Sequence, residues 1–397
     1  MRGVVAFAWV AGFTALALFS SLDGRLCRWL IVGPAAWGVA VSWWKPSRAA
    51  RDFFLTVGIM AGSYAVIIGA AWAWGGVNPD WSYLRSVGPY LLVGMMAPAA
   101  CLGVRAVATR RAKWIWLGLF MAAALVVEAN NCGWIDYHRL QPGFIWVGWG
   151  IWTEKYYIYW LLLLVWACVA SFSWRERVDR LVILGLLGLA AVLIFSSGRS
   201  IRALVILAGG VAVYFVLGQF APSRRTLRFG LFLLLVWWGA APWLFNALDF
   251  SRLDPRINER TRIYRATHDL VQQQPWLGHG FGRAPELTHP LLPRRFHQHL
   301  PGGHPHNLGL LFWLEYGLAG ALWLCGSTWF LLGRVMDVAR GTDVWPALGA
   351  LIVSFVTIVS FSWDVWDYAI ILFYAASAGL VLLLFNAAKF PAGRDPA

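Results

Sequence analysis

Seven of the eight histidines, His268, His279, His289, His297, His299, His304 and His306, fall within one stretch of 39 residues. The last two belong to HPHNLGLLFWLEYGLAG, where His304, His306 and Asn307 stand directly against an apolar run of membrane-span character. An imidazole with its ordinary pKa near ~6.5 can take a proton from an attacking hydroxyl at neutral pH, so His306 reads as a general base. Two other readings stay open. Asn307 or His306 could cap the free N–H groups of the helix that follows. The pairs His297-Gln-His299 and His304-Pro-His306 offer metal ligands, a weak signal because no carboxylate adjoins them.

The same part of the chain is rich in arginine. Arg252, Arg256, Arg260, Arg262, Arg265, Arg283, Arg294 and Arg295 face only Asp249, Asp254, Glu259, Asp269 and Glu286 as acids. Such a surface suits a phosphate-bearing or otherwise anionic ligand, and attraction to anionic lipid head groups is the plain alternative. Further upstream, FSSGRSIRAL puts Arg199 and Arg202 at helix ends on the same face. Arginine near bilayer depth is costly unless it is paired or serves a polar cavity, or unless it snorkels to the interface. The Ser-Ser-Gly turn before Arg199 favours function, since it leaves backbone N–H groups for an oxyanion. Asp364 and Asp367 in SWDVWDYA could orient an acceptor or a histidine, or simply be polar loop residues.

The elements that position these groups are membrane spans. The chain is 59% hydrophobic and 13% charged over 397 residues, with a mean hydropathy of +0.61. That is far too apolar for a soluble globule and predicts an all-α polytopic membrane protein. Apolar stretches predict about twelve transmembrane helices, near 3–21, 27–44, 53–75, 86–104, 114–132, 156–173, 181–197, 201–220, 229–248, 306–332, 344–362 and 367–387. No cleavable signal peptide is evident, because the first apolar run flows straight into a second. The organisation is thus nine spans over 1–248, one long extramembrane segment over 249–305, and three spans over 306–397. Within the long segment, Ile263, Ala266, Leu270 and Val271 recur at helical spacing and predict a surface helix over roughly 257–274, ended by Pro275 and the glycines Gly278, Gly280 and Gly282.

The formal net charge of +14 is mostly topology. Eighteen of the 33 Lys and Arg residues fall in alternating segments, among them Arg105 to Lys113, Arg224 to Arg228, and Arg334 and Arg340. By the positive-inside rule these mark the cytoplasmic face, leaving both termini inside and the long segment outside. Nucleic-acid binding is correspondingly disfavoured. The 27 tryptophans gather near span ends, where indole rings favour the interface. The five cysteines contain no CxxC pair; Cys27 and Cys132 lie near the outer face, and a bridge between them is left open.

The motif HPHNLGLLFWLEYGLAG is similar to the His-Asn, Leu, Glu-x-Gly-x-x-Gly signature of the O-antigen ligase and polymerase superfamily. SSGRSIRAL resembles that family's Ser-Arg element, and NERTRIYRATHDLVQQQPWLGHGFG its Arg, aromatic, then Pro-x-x-Gly-x-Gly stretch, in the family's order. The resemblance implies a multi-span glycosyltransferase of the bacterial inner membrane with a periplasmic active site. Its donor would be an undecaprenyl-diphosphate-linked glycan and, in the ligase branch, its acceptor a sugar of the lipid A core. Neither a metal nor a nucleotide sugar is implied. Carried over residue by residue, His306 matches the essential histidine and Arg199 the arginine of the Ser-Arg element. Arg260 best matches the arginine before the aromatic Tyr264, with Arg262 or Arg265 taking that role in another register. Arg202, His304 and Asn307 have supporting places that the resemblance does not settle. Polymerase and protein O-oligosaccharyltransferase readings stay open within the superfamily. A lipid or solute transporter is the rival from another class, disfavoured because the spans are nearly uncharged and the polar groups gather at one face.

Overall fold

In the computed structural model the described residues are 161–196 (except 164 and 175), 201–220, 223–247, 255–284 (except 282) and 305–361 (except 306, 340, 341 and 343), with isolated positions at 59–73, 117–125, 158 and 287. For Arg202, 255–260 and Arg262 the backbone alone is described. The regular structure among these residues is entirely helical. Seven helices follow in chain order: α1 (Arg177–Ser196), α2 (Ile201–Gln219), α3 (Arg224–Gly239), α4 (Ala241–Ala247), α5 (Pro255–Gln273), α6 (Leu308–Ala339) and α7 (Trp345–Phe361). By length and apolarity α1 and the stretch Leu308–Phe330 of α6 can cross a membrane, as can α3 with α4 if the bent pair counts as one span. The chain is therefore read as a membrane protein. Of the spans expected before residue 156 only isolated positions at 59–73 and 117–125 are described; the span expected after 362, Cys27 and Cys132, and Asp364 and Asp367 lie outside the described residues.

Two antiparallel pairs form the frame. Helices α2 and α7 approach closely through glycine. A Cβ on Gly349 would meet Leu217 at 2.2 Å, and one on Gly210 would meet Trp166 at 2.4 Å and Ser354 Oγ at 2.9 Å. Trp166 Nε1 donates to that same Ser354 hydroxyl at 3.0 Å, so the polar atom exposed by the close approach is satisfied. Gly218 faces Pro346 in the same antiparallel register. Carried to the other ends, that register sets the start of α2 level with the end of α7.

Helix α3 lies antiparallel to the second half of α6. The ion pair Arg224–Asp337 joins them at one end, and Cys325 Sγ lies 3.4 Å from the Leu235 carbonyl further along. Ser223 caps α3, its hydroxyl accepting from Thr226 N at 3.1 Å. At the opposite end, Trp238 Nε1 donates to Ser360 Oγ of α7 at 2.8 Å. The arginines of α3 thus mark one end of the bundle, while the end of α3, the end of α7 and the start of α6 meet at the other.

Two expected spans are broken where the sequence reading has continuous helices. The span expected at 229–248 is α3 followed by α4, bent by 73°. Pro242 explains the break: it has no N–H for the Trp238 carbonyl, and its ring disfavours the preceding helical turn. Trp243 N turns to the Ala240 carbonyl at 3.1 Å, and the Gly239 carbonyl accepts instead from Trp313 Nε1 at 2.9 Å. The span expected at 306–332 runs to Ala339 and is interrupted at Gly317, whose φ of 59° and ψ of −149° are open to glycine and hardly to any other residue.

Candidate functional site

The break at Gly317 is held by the turn that follows α5. In a continuous helix the N–H groups of Leu318 and Ala319 would bond to the carbonyls of Leu314 and Glu315. Here they donate to Pro275 O at 2.7 Å and Trp276 O at 3.2 Å. The two carbonyls left over accept from His279 N at 2.8 Å and Gly280 N at 2.9 Å. Four backbone hydrogen bonds are thereby exchanged between PWLGHG and LEYGLA, and these backbone groups stay paired, as a break inside an apolar bundle requires.

The exchange depends on glycine. Gly278 has φ +67°, and a Cβ there would lie 2.4 Å from Glu315 C; a Cβ on Gly317 would lie 2.5 Å from Trp276 C. Gly320 lacks room as well, with Tyr316 Cβ at 2.3 Å from the added carbon. Gly278, Gly317 and Gly320 are therefore scaffold.

Helix α5 reaches this turn from α4. Its buried face is Thr261, Ile263, Tyr264, Thr267, His268 and Val271. Tyr264 rests against Phe245 of α4, ring centres 4.6 Å apart, in a cluster with Ala241 and Leu310. Thr267 Oγ1 donates back to Ile263 O at 2.7 Å, and His268 Nε2 lies 2.9 Å from Gln272 Nε2. His279 Nε2 sits 2.8 Å from Leu270 O, one of the last carbonyls of α5, and so donates to it as a C-terminal cap. The helix expected over 257–274 is thus present as Pro255–Gln273, with Ile263 and Val271 inward as expected. Ala266 and Leu270 are half-buried, whereas the polar Thr261, Thr267 and His268 go deeper.

Asn307 starts α6. It is fully buried, its Oδ1 accepts from Leu310 N at 2.9 Å, and its Nδ2 donates to Ser360 O at 2.6 Å. The expected cap is therefore made by Asn307, and the same side chain ties α6 to α7. Gly309 brings this start against the break in α3 and α4, with Trp238 O 2.8 Å from where a Cβ would be.

Of the other expected site residues, Arg265 is on the exposed face of α5. Arg260 and Arg262 occupy α5, and Arg202 the first turn of α2, with no side-chain placement described. Arg199, His304 and His306 lie outside the described residues, as do His297 and His299 of the metal reading. Among the described residues no three His, Cys, Asp or Glu side chains come together as metal ligands. The flanking backbone lies at one end: the start of α2, beside SSGRS, and the start of α6, beside HPH, are each linked to the end of α7, at the end of the bundle away from Arg224. Sequence reasoning missed Gly309, the His279 cap and the buried His268. A glycine inside NLGLL, at the start of a helix, is the signal that could have found the first.

In comparison with known proteins, residues 182–325 fit the family model described as O-antigen ligase. No curated protein and no solved structure matches the chain. The matched region runs from α1 through the Gly317 break and contains all three motif stretches. The match supports the resemblance of this region, about a third of the chain, to the O-antigen ligase/polymerase superfamily.

Proposed function

We propose that the protein is a glycosyltransferase that moves O-antigen glycan from undecaprenyl diphosphate to a hydroxyl of a lipid A-core sugar, at the periplasmic face of the bacterial inner membrane. The observation that carries this reading is the family match over 182–325, which contains the Ser-Arg element, the arginine helix and the His-Asn motif in one unit. That the starts of α2 and α6 share one end of the bundle supports it.

In this mechanism the lipid tail lies among the helices and the diphosphate is held by Arg199 and Arg260, with Arg265 and Arg202 beside them. Fixed guanidinium groups neutralise the charge that grows on the leaving oxygen, so the diphosphate leaves without a metal. His306 takes the proton of the acceptor hydroxyl. The hydroxyl oxygen forms its bond to the anomeric carbon from the face opposite the diphosphate, the carbon–oxygen bond to phosphate breaks with its electron pair, and the configuration inverts. Asn307 supports this by fixing the backbone directly after His306. The docked turn does the same for α5 and its arginines.

The test is transfer in vitro by the purified full chain, given undecaprenyl-diphosphate-linked glycan and lipid A core with EDTA present. Wild type should form a glycan-bearing lipid and His306→Ala should not. Transfer by both would remove His306 from the chemistry. Transfer by neither, with glycan lengthening on the lipid carrier instead, would assign the polymerase branch.

A further inference from the structure

At the arginine-bearing end, α3 and the last turns of α6 enclose a cleft of about 260 Å³, lined by Arg224, Arg228, Leu231, Trp329, Phe330 and Asp337. Asp337 pairs with Arg224, and its Oδ2 is 3.6 Å from Arg228 Nη2. Both arginines are about half exposed. Over α3 and the part of α6 after Gly317, Asp337 is the only acid, against Arg224, Arg225, Arg228 and Arg334. One carboxylate therefore does not neutralise this end, and the cleft has capacity for a further anion.

The walls tell what kind. Phe232 follows Arg228 by one helical turn, on the same face of α3, and is exposed, as is Phe330 on α6. An apolar strip thus runs from the arginines along both helices. We infer that this cleft binds an anionic phospholipid of the inner leaflet, with the phosphodiester at Arg224 and Arg228 and an acyl chain along Phe232 and Phe330. The leaflet follows from the arginine distribution of the whole chain. At about 260 Å³ the cleft has room for a compact head group. Arg224 then exchanges between Asp337 and the phosphate, which makes Asp337 a competitor of the ligand.

That competition gives the test its sign. The full-length protein in detergent is offered phosphatidylglycerol or phosphatidylethanolamine with identical acyl chains, and retained lipid is read by native mass spectrometry. Wild type should prefer phosphatidylglycerol by about tenfold, Arg224→Gln/Arg228→Gln should bring the ratio close to one, and Asp337→Asn should raise it. If the double variant fails to fold, Asp337→Asn alone decides: a purely structural ion pair predicts no gain in lipid. Equal retention of the two lipids by wild type, a lowered ratio in Asp337→Asn, or full displacement of phosphatidylglycerol by inorganic phosphate at matched concentration would each overturn the proposal.

Discussion

The two ends of the α3–α6 pair are built on different principles. At the arginine-bearing end both helices are regular, and they are joined by exposed side chains, Arg224 and Arg228 with Asp337. At the other end both helical runs are broken, at Pro242 and Gly317, and the contacts go to backbone groups: Trp313 Nε1 of α6 to the Gly239 carbonyl of α3, the four bonds of the docked turn to α6, and Asn307 to the Ser360 carbonyl of α7. Long flexible side chains in water make a weak and adjustable contact. Backbone bonds inside an apolar bundle leave no alternative partner and fix position. The difference teaches where this molecule needs geometry: irregular backbone is found at the end beside the His-Asn motif, and there the Gly239 carbonyl and the four groups freed at Gly317 are paired outside their own helices.

Substitutions should scale with that contrast. Gly317→Ala is expected to have the largest effect, because it combines a glycine-only conformation with a clash against Trp276. A loss of more than about 2 kcal/mol is expected, seen as a collapse of folded yield and melting temperature together with activity. Next comes Asn307→Ala, which orphans Leu310 N–H and Ser360 O in a buried site; about 1–3 kcal/mol is expected, as a lowered melting temperature in detergent. Smallest is Asp337→Asn at the other end, expected to cost under about 1 kcal/mol and to leave glycan transfer unchanged. If Asp337→Asn destabilised the protein as much as Asn307→Ala does, the contrast between the ends would fail.

How much of this was legible beforehand differs by element. Helices α1, α2 and α7 follow the expected spans to within a few residues, because an apolar run bounded by polar residues is nearly sufficient to define a span. Pro242 was visible in the sequence, but hydropathy averages over it and reads α3 and α4 as one span. Gly317 and Gly278 were quoted as motif residues, yet their partnership joins positions 39 apart, and no local pattern announces a backbone exchange. On α5 periodicity found the helix and only part of its inner face, since Thr267 and His268 are buried with internal partners rather than as apolar groups. The cap at Asn307 was readable from the cap rules, whereas its second bond to Ser360 needed the fold.

The central claim is that the end holding Asn307 and the docked turn carries out glycan transfer through His306. The most direct measurement is the transfer rate of His306→Ala from undecaprenyl-diphosphate-linked glycan to lipid A core, with its melting temperature taken on the same preparation. The account predicts a wild-type melting temperature with transfer lost. Transfer at the wild-type rate by the folded variant would contradict it.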